Sequence, residues 1–202
     1  MKPLGVARRL LRVVPDYAKI AWWGLVRPNV GRERPLVVCQ GVILRGDLDA
    51  PEDLDVLLSV RSDLRGWELP GGNPDPGEPP HDTLCREVRE ETGLRVAVDA
   101  YMGDYVRTGF RPHTARVYRC HVLEGTPTPS SETPVVRWFP VGELPTTLFP
   151  WYRAPLADAL AGFDAPVVRE EIQGWREVLA GARIDVRMRL SGDTAGSGTA
   201  DD

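Results

Sequence analysis

An α/β domain follows from three features of this 202-residue sequence. Two strand-like apolar runs precede a glycine turn, a short carboxylate-rich helix leaves that turn, and further strand-like runs come after it. Residues 36–44, LVVCQGVIL, read as a buried strand, and residues 55–60, DVLLSV, as a second one beyond the acidic turn at 47–53. The turn is Leu69, Pro70, Gly71 and Gly72. The helix is expected to begin near Asp82 and Thr83, with Asp82 as its N-cap, and to end at Gly93, a residue suited to the left-handed closing position. Leu84 and Val88, with Cys85 beside them, would face the sheet. Strands are then predicted over 94–98, 103–108, 115–122 and 135–139. Residues 124–134, rich in Pro, Thr and Ser, form a loop, and a helix over 152–160 closes the domain. Beyond residue 162 the pattern predicts a helix over 166–179 and an alternating strand over 184–190, IDVRMRL. Residues 192–202 hold only small, polar and acidic side chains and are expected to be disordered.

The expected organisation is an N-terminal amphipathic helical extension (1–34), a central domain (35–162), a helix–strand appendage (163–191) and a tail (192–202). The extension carries Lys2, Arg8, Arg9, Arg12, Lys19, Arg27, Arg32 and Arg34 against Asp16 and Glu33, although the whole chain has a net charge of -4. Its apolar residues, among them Leu10, Val14 and Trp23, recur at broadly helical spacing, with Pro15 set to divide the helix. Packing on the central domain, or on the second copy in a homodimer, is favoured over contact with a membrane surface, because tryptophans at helical spacing are usually buried in protein. The arginines form no nucleic-acid reading motif, so no nucleic-acid partner is expected. Cys39, Cys85 and Cys120 are too widely spaced for a zinc pattern or a disulfide framework. No signal segment or membrane span is recognisable, and the expected location is the cytoplasm.

The chemistry concentrates in residues 71–94. Glu87, Glu90 and Glu91 stand at i, i+3 and i+4, which puts three carboxylates on one helical face. Such charges repel and raise one another's pKa unless a hard cation with a preference for oxygen ligands neutralises them. Arg86 stands one turn before Glu90 and is placed to hold it. The stretch resembles the Nudix box: Gly72, five residues, Glu78, seven residues, Arg86-Glu87, an aliphatic at Val88, then Glu90-Glu91, Gly93 and an aliphatic at Leu94. Every specified place is filled, and a looser likeness continues through Arg137 to Pro145.

That resemblance implies a Nudix-like α/β/α sandwich around a mixed β-sheet, and Mg2+-dependent hydrolysis of a nucleoside diphosphate linked to another moiety. Mn2+ is the expected substitute. It implies metal binding by Gly71 through its carbonyl, and by Glu87, Glu90 and Glu91. Catalysis would rest on Glu91, Glu90 and Arg86, with Glu78 supporting the loop. The base is a box glutamate or an acidic residue of a later loop, for which Glu132 is the candidate. Tyr105 and Phe110 are candidates for stacking a base, and Arg107 and Arg111 for meeting anionic oxygens. The expected substrate is a nucleoside triphosphate or modified nucleotide. ADP-ribose or a nucleotide sugar is the alternative, and an inactive nucleotide-binding module the non-enzymatic one.

Overall fold

The computed structural model describes residues 36–161 and 165–191. The predicted extension at 1–34 and tail at 192–202 lie outside the described residues. The chain opens with β1 (Val37–Arg45), β2 (Asp55–Val60) and the two short strands β3 (Trp67–Glu68) and β4 (Gly71–Gly72). Helix α1 (Pro80–Thr92) follows, then β5 (Arg95–Gly109), β6 (His113–Glu124) and β7 (Val135–Pro140). A 3-10 turn, Pro150–Tyr152, leads into α2 (Arg153–Ala161), and the described chain ends with β8 (Val167–Gln173) and α3 (Trp175–Ser191).

The sheet runs β3-β2-β1-β6-β5-β8, with β4 paired to β1 and β7 to β2. It is mixed: β1 is parallel to β6 and β5 to β8, and the other pairs are antiparallel. Period-2 alternation along β1 divides the core between its two faces. Cys39 and Ile43 pack under Leu84 and Val88 of α1. Val42 and Leu44 face the opposite layer, where Leu156 of α2 and Met188 of α3 complete the core. The result is the expected α/β/α arrangement.

Local chemistry explains where the elements depart from expectation. Helix α1 starts at Pro80, with Pro79 in the N-cap position and no side-chain cap, so Asp82 is not the N-cap. A proline at N1 loses no hydrogen bond and has a φ suited to a helix, which moves the start forward. Gly93 closes the helix at φ 74°, its N–H donating to the Arg89 carbonyl at 3.0 Å, as its sequence position implied. The two strands expected over 94–98 and 103–108 are one continuous strand, β5, which passes register shifts at Val98/Ala100 and Tyr101/Gly103.

The C-terminal order is reversed: the predicted helix–strand appendage is a strand followed by a helix. Val167, Val168 and Ile172 suit a pleated ladder, and β5 offers an edge for them, so pairing overrides the helical reading. The alternation of 184–190 is incidental, because the residues buried on α3 are Gly181, Asp185 and Met188, at helical spacing.

Candidate active site

The glycine turn and α1 bring the box residues together. Gly71 sits at φ 145°, and a Cβ there would lie 2.1 Å from the Cys39 carbonyl oxygen, so only glycine lets the turn approach β1 this closely. Gly72 serves a different need. A Cβ on it would fall 2.3 Å from Cδ of Glu87, whose carboxylate lies against the turn backbone.

Arg86 organises the carboxylates. Its guanidinium donates to both oxygens of Glu78 at 2.9 Å, to Glu87 at 3.0 Å and to Glu90 at 3.3 Å, and reaches the Asn73 carbonyl at 3.3 Å. Glu78 also accepts from the Asp75 N–H at 3.0 Å and the Thr83 hydroxyl at 2.9 Å. Those bonds, the Arg86 contact first, hold its carboxyl down at about 2. Glu78 thereby ties the loop to α1.

Glu91 takes another partner, accepting the Gly71 N–H at 3.1 Å. Burial pushes its pKa up to about 7 against the pull of that bond and of Arg61, and the charges of Glu87 and Glu132 add to the rise. Glu87 is also raised, chiefly by burial. Glu132 lies exposed on the loop before β7, close enough for its charge to act on both helix glutamates.

Among the described residues no group of three or more His, Cys, Asp or Glu side chains is already gathered around a metal position. Arg86 occupies Glu87 and Glu90, while Glu91 turns to the backbone. The donor set nevertheless suits a hard divalent ion. It is all oxygen, two of its carboxyls are raised in pKa, and Gly72 leaves room for Glu87 beside the turn.

A polar row beside Glu91 has no periodic signature in the sequence. Gln40 on β1, 5% exposed, donates from Nε2 to the Tyr152 hydroxyl at 3.3 Å, and that hydroxyl donates to Glu68 at 3.2 Å. Burial pushes Glu68 up to about 8, with Arg61 opposing and Glu91 adding to the rise. Oε1 of Gln40 is buried without a hydrogen-bond partner. The one sequence signal for this row was Glu68, a charged residue inside the otherwise apolar WELP segment leading to the turn.

Of the four predicted substrate residues, Tyr105 and Arg107 are taken up by internal partners, whereas Arg111 lies near the row of Arg61, Tyr152 and Glu68. Tyr105 is fully buried and donates to Asp158 at 2.6 Å. Arg107, 1% exposed, is committed to Glu171 at 3.0 Å, to the Trp151 carbonyl and to His113. Phe110 is half-buried in the turn between β5 and β6. Arg111 stands on that turn at φ 53° with much of its surface open to solvent, and the protein on its inner side, then the like charge of Arg61, lowers its pKa. Cys39 and Cys120 are buried thiols whose burial pushes their pKa up, to about 11 for Cys39, which suits packing and not nucleophilic attack.

Comparison with known proteins agrees with this geometry. A family model described as NUDIX domain matches residues 37–160. A MutT-like protein of Streptomyces ambofaciens is 38% identical over 138 residues, spanning 67% of this chain and 85% of that protein. A candidate 8-oxo-dGTP diphosphatase of Bacillus subtilis is 33% identical over 99 residues, 49% of this chain and 66% of that one. The crystal structure of an ADP-ribose pyrophosphatase from Streptococcus suis superposes with a TM-score of 0.55 at 25% identity, covering 68% of this chain and all of that one. With the box on the glycine turn and α1, and the family domain spanning the sheet that carries them, the chain belongs to the NUDIX hydrolase family and is a pyrophosphohydrolase of a nucleotide-linked phosphoanhydride.

Proposed function

We propose that the substrate is a nucleoside triphosphate with a modified base, hydrolysed to the nucleoside monophosphate and pyrophosphate. The observation that carries this reading is the orphaned Oε1 of Gln40, buried beside Glu68 and next to the catalytic carboxylates. A buried acceptor without a donor costs about 1–3 kcal/mol, and an N–H on the edge of a nucleobase would relieve it. Glu68, whose carboxyl burial pushes up to about 8, lies alongside on the same Tyr152 hydroxyl. The Bacillus subtilis relative, described as a candidate 8-oxo-dGTP diphosphatase, supports the same substrate class.

The chain's own groups divide the work. Arg86 sets the rotamers of Glu87 and Glu90 through its contact with Glu78. Arg61 faces the substrate from the end of β2, its positive charge acting on both Glu68 and Glu91. Glu87, Glu90, Glu91 and the Gly71 carbonyl would hold Mg2+, or Mn2+ in its place, a cation that neutralises charge on the departing pyrophosphate. Glu91 or Glu132 takes the proton from the attacking water. An unchanged pH–rate profile in Glu132→Gln assigns that role to Glu91, whereas loss of the acidic limb, where a general base takes up its proton, assigns it to Glu132.

ADP-ribose is the second reading, supported by the likeness to the Streptococcus suis pyrophosphatase over the whole of that chain. The deciding experiment supplies dGTP, 8-oxo-dGTP, ADP-ribose and a nucleotide sugar with Mg2+ or Mn2+ and identifies the products. Highest kcat/KM on 8-oxo-dGTP, with pyrophosphate released, is expected. A preference for ADP-ribose overturns the substrate assignment, and no cleavage of any of them overturns the activity.

A further inference from the structure

The loop of residues 61–66, which carries Arg61 to the polar row, is fastened by a helix that lies beyond the matched family domain. We propose that Asp185 and Arg189 of α3 are positioning residues for substrate binding, holding this loop so that Arg61 points at the substrate. The proposal rests on the reading of Arg61 given above.

A continuous line of hydrogen bonds makes the connection. Asp185, its side chain 1% exposed, accepts the Arg65 backbone N–H at 2.7 Å and both receives and neutralises Arg189 at 2.8 Å. Arg189 reaches on to donate to the Asp63 carbonyl at 2.8 Å. The Asp63 carboxylate in turn holds the guanidinium fork of Arg61, with Nε and Nη2 each at 2.8 Å. Arg61 keeps 42% of its side chain exposed. Its position is therefore set by these bonds more than by enclosure.

A second connection runs through rings. A Cβ on Gly66 would lie 2.3 Å from the Phe149 ring, Phe149 stacks on Trp151 at 4.7 Å and 10°, and a Cβ on Gly181 of α3 would lie 2.9 Å from Trp151. Loop and helix thus clamp the same pair of rings from two sides, and neither glycine tolerates a side chain without displacement. The other side of the loop is tied to the Glu132 loop, where the Ser62 N–H donates to the Glu132 carbonyl at 2.9 Å. A buried carboxylate stripped of its partner is strongly unfavourable, so α3 has one docked register and the loop inherits it.

The experiment pairs limited trypsin digestion with kinetics. Cleavage after Arg65 is timed by mass spectrometry in the full chain, and 8-oxo-dGTP hydrolysis is measured with saturating Mg2+. Asp185→Asn is expected to speed that cleavage at least about fivefold and to raise KM about tenfold while kcat stays within about threefold. Arg61→Gln should raise KM similarly, and adding Asp185→Asn to it should raise KM no further, because the pair acts only through Arg61. Arg183→Gln, exposed on the same helix, should change neither. If Asp185→Asn does not fold, Arg189→Lys, which keeps the charge and loses the fork, carries the same comparison. Unchanged cleavage overturns the latch, and KM effects that multiply in the double variant overturn its route through Arg61. Failure of the wild-type chain to hydrolyse 8-oxo-dGTP instead counts against the substrate reading, and the protease comparison still decides the latch.

Discussion

Glu91 is caught between two demands. Burial holds its proton to about pH 7, whereas metal binding needs the carboxylate ionised. A carboxyl whose folded pKa lies above its unfolded value favours folding most below the unfolded pKa and loses that contribution as pH rises through the folded one. For Glu91 the window runs from 4.5 to about 7, and for Glu68 from 4.5 to about 8. The metal-free protein should therefore melt at progressively lower temperature between pH 5 and 8, and Glu91→Gln should flatten that slope in thermal melts. Mg2+ should bind more tightly across the same range and release protons, which calorimetry in buffers of different ionisation enthalpy would detect. Replacing Glu87, Glu90 or Glu91 singly by Gln should lower kcat at least about 100-fold with little loss of folding, while Glu52→Gln, outside the site, should change it less than about twofold. Wild-type turnover in all three box variants would remove the helix face from the mechanism.

Strand β8 shows how a late element secures the β5 side of the sheet. It supplies Glu171 to the buried Arg107 and Arg169 to Asp158, which also receives the Tyr105 hydroxyl. Glu171→Ala strips Arg107 of its carboxylate, and with Glu171 itself partly solvated the expected loss is about 2 kcal/mol in urea unfolding. A variant as stable as wild type would show that the Trp151 carbonyl and His113 suffice. The same strand marks where sequence reasoning stopped. The box helix, its glycine stop and the strands at 36–44, 55–60 and 135–139 were legible because each is written in local periodicity or turn chemistry. The order of β8 and α3 was not, since it depends on β5 presenting a free edge that no local pattern reveals. Gln40, Glu68 and Arg61 escaped for a related reason: single polar residues in strand segments gain meaning only when three strands and the Tyr152 turn converge. Tyr105 and Arg107 alternate in register on β5, so both point toward the layer of α2 and α3.

The described chain runs on past its family match, and the part from residue 165 to 191 is structural. The family domain ends at residue 160, yet Met188, Asp185 and Glu171 are all set against it from beyond that point. A chain ending at residue 161 would keep the entire box, yet should be recovered insoluble or melt at least about 10 °C lower, since two buried side chains and the carboxylate that pairs Arg107 depart together. A soluble fragment with the wild-type melting temperature would contradict this. Among the described residues, no helix is long and apolar enough to cross a membrane.

The two ends of the sheet differ in what they leave open. At one end β3 is two residues long and the outer strand β7, paired only to β2, is blunted by the exposed Arg137 and by Pro140, which has no N–H to offer, whereas at the other β8 shows a seven-residue edge with Val168 75% and Ile172 78% exposed. In terms of assembly, the described chain has a sticking valence of one. A molecule with two open edges can add neighbours without limit, but one with a single edge uses it up in its first encounter. Concentrating the protein should therefore give pairs and not fibres, and Ile172→Lys should remove the pairs in light scattering without touching turnover.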